Sequence, residues 1–399
     1  MNRFFRPRLF RYGFVRPAHL VLLLCVLCAL CGYSFAQDFK QLHPGVEYAQ
    51  VDHKIREDPV NINLLRLDLK KVRLDVHHAL DKAIGLETTS SIATRKGAVA
   101  AINAGFFRLD NSIFAGDASG VLKIDNRLYS EPTQDRIAMF MKNGSDETLV
   151  AFDHLRTRTW FEINKRVVAV DGTNRERKED ELVEFTSVFN RSTLTQPGGI
   201  EIVARGGRIA EILDGVGSTI IPFGGYVLSA SGKRKQQMVE WLAKGWLKVG
   251  MKITGFTAVD QGSITDGPSA PFDYEDITNG VPQLIKNGKI DITWKQEKAS
   301  RAFAETRHPR TAVAKLRDGK FLMMTVDGRQ PGVSVGMTLQ ELAEYLFSLG
   351  AVDAMNLDGG GSTTMFLDGK VVNKPSDPTG ERKIGDAIIV TLRKPKSGK

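Results

Sequence analysis

The chain has 399 residues, 25% charged and 42% hydrophobic, with a formal net charge of +9. Five of its basic residues (Arg3, Arg6, Arg8, Arg11, Arg16) fall in the first 17 positions, leaving 50 basic against 46 acidic residues elsewhere, too even a balance for nucleic-acid binding. All three cysteines (Cys25, Cys28, Cys31) also lie near the N-terminus, so the rest of the chain excludes disulfides, thiolate nucleophiles and Cys-ligated metals.

The N-terminal segment reads as an address. After the arginines comes an apolar run, Leu20–Leu30, and then Ser34-Phe35-Ala36, which puts small residues before a cut at Gln37. Charged, apolar and small-residue parts in that order make a secretory signal peptide over residues 1–36. The apolar run is short of the roughly 20 residues that span a bilayer. Cleavage is therefore expected over retention as an anchor, giving an exported periplasmic or secreted protein with no stable membrane insertion.

Alternation predicts strands at 61–69 and 72–76, and a short apolar run predicts a buried strand over 97–103. Further strands are predicted near 136–141, 149–152, 166–170, 199–204 and 225–229, and a helix over 236–247. The polar stretch 173–180 reads as a solvated loop. Phe321–Val326 is a continuous apolar run of strand length. Thr338-Leu339-Gln340-Glu341 then fits a capping box, with Leu339, Leu342, Ala343, Leu346 and Phe347 at helical spacing and Gly350 as the stop. A strand over 352–357 follows. Strand, helix and strand within about forty residues predict a βαβ unit with parallel strands. Asp327 and Asp358 would then share the carboxyl edge where α/β sheets bind ligands.

Asp358 opens Gly359-Gly360-Gly361-Ser362, and the residues after it alternate as two strands about an Asp368-Gly369 turn. A Rossmann fingerprint or P-loop would need a helix there, so a nucleotide site is excluded. Three glycines instead let the backbone approach a ligand and aim N–H groups at an anion. Upstream, Arg307-His308-Pro309-Arg310 offers two guanidiniums suited to phosphate or carboxylate oxygens. The alternative is a surface basic patch with His308 shaping a turn. Asn103-Ala104-Gly105-Phe106-Phe107 supplies an amide able to bind a sugar hydroxyl and aromatics for stacking or for the core.

Taken in order, these segments resemble the phosphodiester glycosidase family: Asn103–Phe107, Arg307–Ala312, Asp327-Gly328-Arg329, Asn356–Ser362, Asn373–Asp377 and the final strand 387–392. With no cysteine outside the leader, the chain is more similar to the family's bacterial members than to its animal ones. The resemblance implies a catalytic domain over 95–393, with N-terminal strands at 37–94 packing on it and a basic tail at 394–399. It also implies a mixed α+β fold, a twisted mixed sheet flanked by helices that would contain the βαβ unit and a following β-hairpin.

The substrate class implied is a glycan or sugar joined through its anomeric carbon to a phosphodiester. Cleavage there passes through an oxocarbenium-like state and ordinarily uses two carboxyl groups. On this reading Asp358 is nucleophile or general base, Asp327 is the second carboxylate or orients an arginine, and His308 is a candidate acid. Arg310 and Arg329, with Arg307, would hold the phosphate. Asn103 and Asn356 would bind sugar hydroxyls, and Ser362 with Gly359, Gly360 and Gly361 would complete an anion pocket. No cofactor is expected and no zinc spacing occurs, although oxygen-ligated Mg²⁺ or Ca²⁺ stays compatible. Two alternatives remain open: a metal-dependent phosphodiesterase using Asp327 and Asp358, and a non-catalytic glycan-binding envelope protein. Nothing in the sequence sets an oligomeric state.

Overall fold

The computed structural model describes residues 37–133, 135–261 and 274–394. The expected signal peptide at 1–36 and nearly all of the basic tail lie outside the described residues. Eight strands build the sheet that carries most of the predicted site. Their order is Lys40–His43, Val46–Ile55, Asp58–Leu67, Phe321–Val326, Arg310–Leu316, Ala351–Asn356, Gln283–Lys286 and Lys289–Ile290. Phe321–Val326 is buried at every position. Met323 joins Leu65 and Val313 in a core on one face, and Met324 joins Leu64 and Ala312 in a core on the other. A strand covered on both faces reads as an unbroken apolar run.

The helix Leu339–Ser348 covers the second of those faces through Leu342, Ala343 and Leu346. Its capping box is present. The Thr338 hydroxyl accepts from the Glu341 N–H at 3.1 Å, and the Glu341 carboxylate accepts from the Thr338 N–H at 2.9 Å. Gly350 ends it at φ 88°.

The strands on either side of this helix, Phe321–Val326 and Ala351–Asn356, run in the same direction but are not neighbours. Arg310–Leu316 lies between them, antiparallel to both. The carboxyl ends of the outer two therefore meet the amino end of the middle one at a single edge.

A second sheet runs Lys370–Val371, Met365–Leu367, Ala100–Asn103, Asp386–Leu392 and Val72–His78. A third includes Leu122–Ile124, Ile137–Asn143, Thr148–Ile163 and Asp276–Asn279. Ile102 and Ile388 of the second and Ile137 and Met139 of the third share a core with Leu65, Met323 and Met355 of the first. A fourth sheet, Gly172–Thr173, Leu182–Thr186, Tyr226–Ala230, Ile200–Arg205 and Arg208–Asp214, packs on the helix Gly232–Ala243 through Met238 and Trp241.

Several expectations change. The architecture is α+β with strands dominant, but the ladders are antiparallel among the described residues except for Gly172–Thr173 beside Leu182–Thr186. The strands before residue 95 are members of these sheets, since Asp58–Leu67 pairs directly with Phe321–Val326. Thr148–Ile163 extends well past the predicted 149–152. Within 173–180, Arg175 is half-buried and bridges Glu131 and Glu181. That pairing allows a charged stretch to pack where composition suggested a solvated loop. Among the described residues, no helix is long and apolar enough to cross a membrane.

Candidate active site

Asp358 leaves the end of Ala351–Asn356 at the meeting edge of the first two sheets. Its N–H donates to the Ala104 carbonyl at 3.0 Å, and its own carbonyl accepts from Asn103 Nδ2 at 2.6 Å. The main chain is thus clamped to the end of Ala100–Asn103. Asp358 is half-buried, and its Oδ1 accepts from the Gly359 N–H at 2.9 Å. Burial pushes the carboxyl up to about 6, while Ser362, the Gly359 N–H and the charge of Arg382 pull the other way.

The glycines that follow are used for approach. Gly360 has φ 60°, and its N–H donates to the Pro309 carbonyl at 2.9 Å. A β-carbon on Gly359 would sit 2.7 Å from that same carbonyl. A β-carbon on Gly360 would sit 3.0 Å from Arg329 Nη2, and one on Gly361 would overlap the Arg382 guanidinium. Two arginines therefore lie over two successive glycines beside Asp358. Arg329 is exposed, at φ 60°, with no hydrogen bond or ion pair among the described residues. Arg382 is anchored by Nε donating to Asp377 at 2.7 Å.

Other predicted residues have structural duties that change their reading. Asn103 is 1% exposed. Its Oδ1 accepts from Thr311 Oγ1 at 2.8 Å and from the Thr364 N–H at 3.0 Å, so it positions Asp358 rather than a sugar. Arg307 pairs with Glu341 and Asp58 at 2.6 Å each, which occupies its guanidinium. Arg310 is also 1% exposed. It donates to the carbonyls of Met337, Phe303 and Thr306 and packs over the Phe303 ring. Burial lowers its pKa to about 10. Arg310 is therefore a buried strut, whereas Arg329 and Arg382 are the arginines that reach the glycine turn.

Asp327 is not a partner for Asp358. It is 4% exposed. Its carboxylate accepts from Asn373 Nδ2 and the Lys374 N–H at 3.1 Å, which fixes the 373–374 segment. Asn373 Nδ2 donates to Thr363 O and its Oδ1 accepts from Met365 N, so this link supports the exit of the glycine turn.

The main chain of His308 pairs with Met337. Burial, with the charges of Arg310 and Arg329, lowers its imidazole below the usual value, so it is neutral at pH 7 and poorly suited to donate a proton. Asn356 donates to Val281 O and Leu357 O at 2.7 Å, and its buried Oδ1 has no partner among the described residues. Ser362 is fully buried beside the Asp358 carboxylate.

Sequence reasoning missed three contributors. Arg382 sits in a charged turn indistinguishable from surface. Asp386 opens the apolar strand Asp386–Leu392, which was a readable signal. It is 1% exposed. Its Oδ1 accepts from the Gly105 N–H at 3.0 Å and its Oδ2 from Thr278 Oγ1 at 2.8 Å. Burial, with the charge of Asp358 adding to it, pushes this carboxyl up to about 7. Asn279 is the third. Its Oδ1 accepts from the Phe106 N–H at 3.1 Å, while its Nδ2 is buried without a partner among the described residues. Nor do the described residues gather three or more His, Cys, Asp or Glu as a metal site.

Residues 198–391 match the family model for phosphodiester glycosidases. Over that stretch the chain is similar to a phosphodiester glycosidase domain. The match takes in the glycine turn, both arginines over it, Asp358 and Asp386, and leaves Asn103 outside.

A Bos taurus N-acetylglucosamine-1-phosphodiester alpha-N-acetylglucosaminidase is 30% identical over 204 residues, 49% of this chain and 35% of that protein. The chain thus spans about a third of the length of that relative. Two solved structures share the fold. A Synechocystis protein is 22% identical, with TM-score 0.75 over 90% of this chain and 64% of its own. A Burkholderia pseudomallei protein is 24% identical, with TM-score 0.71 over 84% of this chain and 74% of its own.

Proposed function

We propose that this protein is an exported hydrolase that cleaves the C1–O bond of a sugar-1-phosphodiester in an envelope or extracellular glycan. One observation carries the reading: Arg329 and Arg382 lie over Gly360 and Gly361 beside a carboxyl raised to about 6. Two guanidiniums can hold the phosphate oxygens and stabilise charge as the phosphate departs. A phosphate is already a good leaving group, so little proton donation is required. Asp358, mostly ionised at pH 7, acts at the anomeric carbon or on the attacking water. Water supplies hydroxyl to C1, and the phosphate monoester leaves with the bridging oxygen.

Asn279 Nδ2 and Asn356 Oδ1 are buried beside the site without a partner among the described residues, while Asn103 and Asp386 hold the main chain around Asp358. Asp386, pushed up to about 7 by burial and by the charge of Asp358, holds its proton more readily than an ordinary carboxyl beside Asp358. No step needs a metal, and the metal-dependent alternative would require Asp327, whose carboxylate is occupied by Asn373 and Lys374.

The test is hydrolysis of α- and β-linked sugar-1-phosphodiesters by the protein purified from residue 37 onward. Release of reducing sugar, lost in Asp358→Asn with binding retained, supports the proposal. A ligand bound without turnover by the wild type makes it a glycan-binding protein instead. N-terminal sequencing of protein exported from cells should begin at Gln37, and retention of the leader would contradict the secreted reading.

A further inference from the structure

A cavity of about 620 Å³ lies on the third sheet, lined by none of the residues at the glycine turn. Its floor is one face of the arm formed by Thr148–Ile163, Arg166–Ala169 and Ile253–Gln261. Trp160 pairs across the ladder with Ala169 on one side and Phe256 on the other. Cross-strand partners project from the same face. Phe256 stacks alongside the indole, with centroids 5.7 Å apart and planes within 16°. Ala169 and Ala258 line the cavity next to Trp160, and side chains this small leave part of the half-buried indole facing it. Phe256 is 41% exposed and Val167 62% exposed, so this is an apolar surface that the fold itself does not bury.

The facing wall is polar and consists of Glu131 and Asp171–Thr173. Each carboxylate there has an arginine partner, Arg175 being shared with Glu181, and the exposed Arg158 lines the floor two residues before Trp160. Glu131 accepts from Arg175 Nε at 2.7 Å and from the Thr173 N–H at 2.9 Å. Asp171 accepts from Arg234 Nε and Nη2 at 2.9 and 2.8 Å. A carboxylate has about four acceptor sites, so each keeps capacity for a further donor. The lining carries both signs of charge, Arg158 on the floor and Glu131 and Asp171 on the wall, so it favours an uncharged occupant with one flat apolar face and a rim of hydroxyl donors. A pyranose has that division, with its axial C–H face against an indole and its hydroxyls at the edge. The volume falls within the range of about 300–1,000 Å³ usual for ligand pockets.

We infer that the cavity over Trp160 is a binding site for a neutral oligosaccharide, separate from the hydrolytic centre. Such a site would hold the uncharged part of a glycan, and it does not depend on hydrolysis occurring at Asp358.

Calorimetric titration with cellotriose, chitotriose and maltotriose tests it. At least one should bind with a Kd of about 1 mM or tighter. Trp160→Ala should weaken that binding by about tenfold or more, and Trp160→Phe, which keeps a ring, by less. Ala169→Trp should abolish binding by filling the cavity from an exposed position. If Trp160→Ala lowers the melting temperature, the Ala169→Trp result decides. Asp358→Asn should leave binding unchanged, and hydrolysis of a small sugar-1-phosphodiester should be unaltered by Ala169→Trp. The inference is overturned if none of the three sugars binds at 10 mM (about ten times the weakest expected Kd). Binding that survives Ala169→Trp, or that is lost in Asp358→Asn, overturns it too.

Discussion

Arg382 rests so closely on Gly361 that a β-carbon there would overlap its guanidinium. The contact is with the end of a flexible side chain, so Gly361→Ala should be accommodated by moving Arg382 and not by unfolding. The expected outcome is about a tenfold rise in KM for a sugar-1-phosphodiester, with a melting temperature close to wild type. Steady-state kinetics with a thermal melt checks both. Unchanged KM would remove Arg382 from the substrate site.

The raised carboxyl of Asp358 sets the pH profile. Its ionised form is the reactive one, so kcat/KM should rise with pH and level off above about 6. Stability should run the other way. An acid with a raised folded pKa holds its proton more tightly in the native state, so its contribution is full below about pH 4 and is lost as pH climbs to about 6. Asp358→Asn should lower kcat by about 10³-fold or more, with KM little changed. An activity limb near pH 4 would contradict this role.

Arg310 and Arg329 should separate cleanly. Arg310→Ala removes a buried side chain that donates to the carbonyls of Met337, Phe303 and Thr306, and should cost on the order of 3 kcal/mol of stability in chemical denaturation. Arg329→Ala removes an exposed side chain with no partner among the described residues. It should leave stability unchanged while weakening phosphate binding by about tenfold. The reverse pattern would restore Arg310 as the phosphate ligand.

Asp386→Asn can keep both contacts, with its oxygen on the Gly105 N–H and its amide on Thr278 Oγ1. The wild-type acid, raised to about 7, contributes stability below about pH 4 that is lost as pH rises to about 7. The variant should therefore melt higher than wild type at pH 8, with the gap narrowing toward pH 4. Differential scanning calorimetry at the two values tests this, and a pH-independent difference would mean that Asp386 does not titrate across that range.

Much of the local structure was readable because it follows from local rules. Thr338 and Glu341 announced the helix start, Gly350 its end, and the uninterrupted Phe321–Val326 a strand covered on both faces. The insertion of Arg310–Leu316 between the two flanking strands was not readable, because strand order depends on long-range pairing that no periodicity encodes. The site divides in the same way. Asp358 and its glycines stood out as residue types with few structural uses. Arg310 and Arg329 could not be told apart by sequence, since both are arginines near a strand end and only burial separates the strut from the exposed side chain. The surroundings of Asp327 and Asp386 were likewise unreadable, because each carboxylate's partners lie far along the chain.

The central claim is that the bond broken lies between C1 and oxygen. Hydrolysis in ¹⁸O-enriched water, read by mass spectrometry on the phosphate product, tests it without interference from exchange at the reducing sugar. Phosphate monoester free of ¹⁸O is the predicted result. Incorporation of one ¹⁸O atom into phosphate would mean attack at phosphorus and would contradict the account.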